Sequence, residues 1–382
     1  MDDVIQLSLA VRGDMLYVDC TLPESETSIA LHEDVVMDQL DSDCVRVGED
    51  CTWDGMLGIY TVYTFGRRRA HHLRYHKTIG YAPEGLYGVR EGKIILNIYA
   101  NCFPLGLSEA VRSSRCVLEE GFEDYDLLDG VRDEQGRWVK EQNYRPALPE
   151  CANLIALRRG RYHCVSRGEV SAYCMREATV PQLAGAVDYA QDCLAFYSQR
   201  FGSRTARHMT LFLLDEGEPW GGYCRDGLIV MGGVQERQEW YLDILGHELG
   251  HLWACGADTA NFEDWLNETG AEWLSLLMLL HTGREDLFRA KIQQTLEQYK
   301  KSHGPILPTD GSRPGATHIC GTVLFWMVYR DHGQDMVVAL LGKLFALDRA
   351  TTQNWLDAVA ADPQTAPLAG WLEEAIRAED LL

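Results

Sequence analysis

His247, Glu248 and His251 stand in the order His-Glu-Leu-Gly-His. On a helix, residues four apart share a face, so both imidazoles can reach one ion while Glu248 leans over it. This is a pattern that binds Zn²⁺ through two histidines and keeps a carboxylate beside the water the ion acidifies. Glu268 follows in Trp265-Leu266-Asn267-Glu268, opens a second apolar-periodic segment and can supply a third ligand. Two histidines and one glutamate leave a fourth position open, as in catalytic zinc sites, and one zinc per chain is expected.

These side chains need a rigid frame. Leu242, Ile244, Leu245, Leu249, Leu252 and Trp253 recur at helical spacing, which predicts a helix with a buried face around the motif. Glu272 lies four residues after Glu268, on the same face, where it can accept the second N–H of a ligand histidine. Asn267 is read as a tether for local backbone. Trp253, Trp265 and Trp273 are read as packing residues.

The stretch HELGHLW, a short connection and WLNE together resemble the aminopeptidase N family of zinc metallopeptidases, the gluzincins. The resemblance implies His247, His251 and Glu268 as metal ligands, Glu248 as general base and a peptide as substrate. Sixteen residues separate His251 from Glu268 here, against eighteen in the family, and the family's NEGFA reads Asn267-Glu268-Thr269-Gly270-Ala271. The family's oxyanion-binding tyrosine falls at His318, whose imidazole N–H could donate the same hydrogen bond; Tyr329 is a weaker candidate. The family's GAMEN-like stretch falls at Gly221-Gly222-Tyr223-Cys224, expected to line the substrate. Cys224 takes the place of the glutamate that holds a substrate's α-amine, and a thiol cannot anchor an ammonium as a carboxylate does. Glu216, Glu218 and Asp226 are possible replacements. Exo- and endopeptidase action both stay open, as do a non-catalytic zinc-containing peptide-binding protein and a zinc hydrolase of a non-peptide bond.

The chain has 382 residues, enough for two domains. Residues 1 to about 170 read as β: VIQLSLAV (4–11), MLYVDCTL (15–22), LGIYTVYTF (57–65), KIILNIYA (93–100), ANLIALRR (152–159) and EVSAYCM (169–175) are rich in Val, Ile, Tyr and Thr between turn residues. Residues 105–150 read as loops and short strands. From about 178 the period changes. Thr179-Val180-Pro181 opens a helix closed by Gly202, strands follow at 208–214 and 228–231, and after Glu268 helices are expected at 268–282, 285–300, 317–330, 335–347, 351–361 and 368–379. The fold class is therefore α+β: an N-terminal β-sandwich-like domain (1–170), then a thermolysin-like α/β catalytic unit continuing into a helical C-terminal part (171–382). The order of elements, LAFYSQRFG (194–202), DRATTQNWLDAVA (348–360) and LAGWLEE (368–374) extend the family resemblance over roughly 170–382; over 1–170 it is architectural.

A formal net charge of −22 argues against nucleic acid and anionic membranes as partners. No apolar run approaches the length of a membrane span. MDDVIQLSLAVRGD does not read as an export signal, and twelve cysteines without a CxxC pair read as reduced thiols, so a cytoplasmic setting is expected. GRRRAHHLRYHK (66–77) and RRGRYH (158–163) read as salt-bridged β surface; His71, His72 and His76 show no acidic partner pattern in sequence and are not read as a second metal site.

Overall fold

The structure, a computed structural model, describes residues 3–50, 59–66, 69–80, 87–90, 92–107, 113–143, 153–204, 208–214, 221–225, 227–232, 240–259 and 261–382. It divides into two compact units. One comprises residues 1–164, 173–178 and 217–219; the other comprises 165–172, 179–216 and 220–382.

The described residues of the first unit form three sheets. The largest runs in the order Val131–Arg132, Trp138–Asn143, Ser113–Leu118, Val4–Arg12, Met15–Leu22, His71–Thr78, Val36–Gln39. Its centre follows from strict alternation: Ile5, Leu7, Leu9 and Val11 on one strand and Leu16, Val18, Cys20 and Leu22 on the next are buried, with less buried residues between them. Gly13, at φ +64°, makes the tight turn that joins the two strands. Val4–Arg12 also pairs in parallel with Ser113–Leu118, a partner far away in sequence.

The basic stretch around residues 71–78 is one of these strands. Its acidic partners come from neighbouring strands and loops, which corrects the expectation that these histidines lack them. His72 Nε2 lies 2.6 Å from Asp19, His76 Nδ1 2.9 Å from Asp38 and His71 Nδ1 3.2 Å from Asp41. Asp41, Asp43 and His71 bring ligand-type atoms together, but the Arg69 guanidinium stands 3.5 Å from Asp41 and 3.1 Å from Asp43, so an ion pair already meets this charge.

The second unit carries a five-stranded sheet in the order His163–Arg167, Val170–Cys174, Met209–Leu213, Leu228–Met231, Gly222–Arg225. Among the described residues, eight α-helices follow or interleave with it: α1 (Val180–Phe201), α2 (Trp240–Gly250), α3 (Trp265–His281), α4 (Glu285–Lys301), α5 (Thr317–His332), α6 (Gln334–Phe345), α7 (Thr352–Ala361) and α8 (Ala369–Ala375). α1 has proline in its first turn and ends at Gly202, φ +84°. α7 is capped by the Thr351 side chain, which accepts from the Asn354 amide. Among the described residues, no helix is long and apolar enough to cross a membrane.

α2 and α3 pack closely because Gly250 has no side chain. A Cβ at that position would lie 2.9 Å from Ala271 Cα and 3.0 Å from its carbonyl oxygen. Gly250→Ala is therefore expected to force the two helices apart and to destabilise the fold by about 1–3 kcal/mol. Equilibrium denaturant unfolding measures this directly; an unchanged midpoint would show that the helices can give way.

Candidate metal centre

α2 carries His247 and Glu248 and stops at Gly250, so His251 stands one residue past the helix end. It keeps the helical spacing nonetheless, because its amide reaches the carbonyls of His247 and Glu248, both at 3.3 Å. α3 starts at Trp265, three residues earlier than the periodicity indicates. This puts Glu268 in its first turn, where the helix dipole favours a carboxylate. Asn267 anchors the approach to that turn: its side chain accepts from Ala257 N and donates to Ala257 O and Asp264, each at 3.0 Å.

The helix pair brings His247, His251 and Glu268 together with ligand-type atoms all within 4.8 Å of one another. Glu268 Oε2 lies 3.4 Å from His247 Nε2 and 3.8 Å from His251 Nε2. The two imidazoles meet edge to face. The other nitrogen of each ring is held from behind: His247 Nδ1 lies 3.0 Å from Glu272 Oε2, and His251 Nδ1 lies 3.2 Å from the Ala254 carbonyl. Each ring can thus donate through Nδ1 and present Nε2 to an ion.

Glu248 is buried beside them. The edge strand Gly222–Arg225 passes directly over it. A Cβ on Gly222 would sit 3.1 Å from Glu248 Oε1 and 2.9 Å from the Val230 carbonyl, so only glycine leaves room there. Tyr223 and Cys224 pair with Val230 and Ile229 and are both buried. Glu216, Glu218 and Asp226 lie outside the described residues.

His318 opens α5, and its Nδ1 rests 2.8 Å from Glu268 Oε2. Its side chain is 56% exposed, so it borders the centre and here contacts the candidate ligand carboxylate. Tyr329 lies eleven residues further along α5, roughly 16 Å up the axis. It packs among Trp273, Phe288 and Trp326. The tryptophans are packing residues: Trp253 donates to Gly202 O, Trp265 to Thr352 Oγ1 and Trp273 to Thr322 O, all from buried positions.

The electrostatics suit a cation. Burial opposes a charged His247, yet its contacts with Glu268 and Glu272 hold its pKa well above the ordinary value. Burial also opposes the charge on Glu268, but His318, His251 and His247 draw its pKa well below normal. Burial lowers His251 to about 4 and raises Glu248 to about 7, the latter against the pull of His247. The centre thus holds an ionised carboxylate, and the carboxylates that favour a proton on His247 would equally favour a metal ion in the proton's place. Two imidazoles and a carboxylate form the N/O donor set that zinc takes in open sites.

No family model and no curated protein sequence matches this chain. Solved structures do. An M1 zinc metallopeptidase from Deinococcus radiodurans is 16% identical, with a TM-score of 0.66 over 100% of this chain and 94% of that one. Leukotriene A4 hydrolase from Saccharomyces cerevisiae is 12% identical, with a TM-score of 0.71 over 99% of this chain and 68% of that one. The chain has the fold of the M1 zinc metallopeptidases. The match includes residues 1–170, where the sequence resemblance was architectural only, and it fits an α+β chain with a helical C-terminal part.

Two further residues stand close to this group of side chains. Asp243 lies four residues before His247 on α2, and Lys291 lies on α4. Asp243 shares the helix face of His247 and is visible in the spacing in hindsight. Lys291 carries no local signal, because only the packing of α4 brings it near.

Proposed function

We propose that this protein is a zinc-dependent hydrolase of peptide bonds, with His247, His251 and Glu268 as ligands and Glu248 as general base. The observation that carries this reading is the convergence of the three ligand-type side chains with the buried Glu248 carboxylate beside them. When bound, zinc supplies Lewis acidity toward a carbonyl oxygen and acidifies water. Glu248 takes the proton of the attacking water and returns it to the departing amine. His318 is the candidate donor to the developing oxyanion, from its position against Glu268.

The edge strand Gly222–Arg225 supports an extended substrate laid along its backbone. Cys224, buried and paired with Ile229, supplies no carboxylate for a substrate amine. The amine anchor of the aminopeptidases is thus missing at this position, and endopeptidase action stands beside exopeptidase action unless Glu216, Glu218 or Asp226 restores it. The test is bound-metal content together with digestion of a mixed peptide library read by mass spectrometry. One zinc per chain with internal cuts supports the reading in full, whereas cuts confined to the first residue restore aminopeptidase specificity. One zinc without cleavage favours a peptide-binding protein, or a hydrolase of another bond such as the leukotriene A4 hydrolase match would suggest.

Gly222→Ala offers a sharper probe of the geometry. The added methyl presses on Glu248 Oε1 and the Val230 carbonyl. Displacing a catalytic group by ~1 Å can cost ~100-fold in rate. Turnover is expected to fall at least ~10-fold with zinc content unchanged; equal turnover would show that Glu248 does not act from this position.

A further inference from the structure

Behind His247 the contacts extend through three helices. Glu272 on α3 meets His247 Nδ1 with Oε2 and Lys291 Nζ on α4 with Oε1, the latter at 3.1 Å. Lys291 Nζ also donates to Asp243 Oδ2 on α2 at 2.8 Å. Asp243 is fixed in turn by Ser275, whose hydroxyl lies 3.0 Å from Oδ1 and 2.8 Å from the Asp243 carbonyl. Asp243 and Glu272 are both buried, and Lys291 is largely covered.

Two buried carboxylates that share one small volume repel strongly unless a cation stands between them. Lys291 is that cation. It also has directional consequences, because an ammonium held by both carboxylates locks the rotamer of Glu272. With Oε1 committed to Lys291, Oε2 stays turned toward His247 Nδ1. A carboxylate in that position selects the tautomer and ring angle that present Nε2 to an ion.

We infer that Lys291, bridging Glu272 and Asp243, is a positioning residue for the metal centre: it acts through Glu272 to aim His247. The inference rests on the zinc reading of His247, His251 and Glu268. It extends that reading to a residue outside the ligand set, on a helix that carries none of the ligands.

The test uses the full chain. Zinc affinity is measured by competition with a chromophoric chelator for the wild type, Lys291→Met, Lys291→Gln, Lys291→Arg and His247→Ala. Circular dichroism of each protein before loading reports the fold. Cobalt is then loaded in place of zinc, and its visible absorption reads the ligand field directly. Loss of an outer partner of a ligand costs ~10- to 100-fold in metal affinity. Lys291→Met and Lys291→Gln, one contact further out, are expected to lose about tenfold, the lower end of that range, and to shift the cobalt bands, while Lys291→Arg recovers most of the affinity. A merely structural lysine would alter the unfolding midpoint without moving the cobalt spectrum. Should Lys291→Met fail to fold, Lys291→Gln, which is polar but shorter and carries no charge to hold the two carboxylates, gives the same comparison.

The inference is overturned if His247→Ala loses zinc while both neutral Lys291 variants keep affinity within about threefold of wild type, well short of the expected loss. If the wild type takes no zinc, or His247→Ala binds it as tightly as wild type, the zinc reading itself fails and this inference falls with it.

Discussion

Glu248→Gln is expected to reduce peptide hydrolysis by ~10²- to 10⁴-fold, the range that a general base supplies, while zinc content stays at the wild-type level. Glutamine has nearly the same shape and leaves the ligands His247, His251 and Glu268 intact, so binding and chemistry separate cleanly. The carboxylate suits the task because burial raises its pKa from 4.5 to about 7, which makes it a willing proton acceptor near neutrality. A bound divalent cation adds its own charge and draws that value down again. Only ionised Glu248 can accept a proton, so activity should rise with pH through its pKa. The acid limb of kcat/KM is therefore expected below about 7. Turnover of wild type and variant at equal zinc occupancy, measured across pH 4–8, checks both statements. A variant within tenfold of wild type would remove Glu248 from the base role, and an acid limb well above 7 would assign the titration to another group.

The features behind this prediction were legible in the sequence because they are local. His247 and His251 are one helical turn apart, and Glu268 and Glu272 repeat that spacing on the next helix. The periodicity also placed α4 and α5 to within a residue or two, since helix boundaries are written in nearby residues: Pro181 and Gly202 bracket α1, and Thr351 caps α7. The β unit was legible only in part. Met15–Leu22 alternates so regularly that its bounds were read to the residue. The stretch 66–77 was read as salt-bridged β surface, but the bounds His71–Thr78 were not, because the partners Asp19, Asp38 and Asp41 of its histidines arrive through pairing that no local pattern encodes. The parallel pairing of Val4–Arg12 with Ser113–Leu118 is invisible for the same reason. In the candidate centre, Glu272 was read from spacing and its Oε2 lies 3.0 Å from His247 Nδ1, but Lys291 needed the packing of α4. His318 was placed beside the centre by resemblance, but the contact of its Nδ1 with Glu268 depends on how α5 packs against α3.

Glu268→Ala is expected to weaken zinc binding by more than ~100-fold, beyond what the loss of an outer hydrogen-bond partner costs, while the helices stay folded. Glu268 is the carboxylate common to the group: its Oε2 faces His247 Nε2, His251 Nε2 and His318 Nδ1. Removing it leaves two imidazoles to hold a divalent ion without an anionic ligand. The fold has less at stake, because imidazoles left without their carboxylate can shed their protons instead of staying buried and charged. Trp265 and Asn267 continue to fix the start of α3 through Thr352, Ala257 and Asp264. Glu268→Gln separates charge from shape. It keeps one oxygen donor of similar reach but no net charge, so affinity should fall in the order wild type, Gln, Ala. Chelator competition gives the three affinities, and thermal unfolding of the metal-stripped proteins gives the stabilities. A Glu268→Ala protein that binds zinc as tightly as wild type would show that the third ligand lies elsewhere. His318 would then be the first residue to examine, because its imidazole already stands against the same carboxylate and is open to solvent.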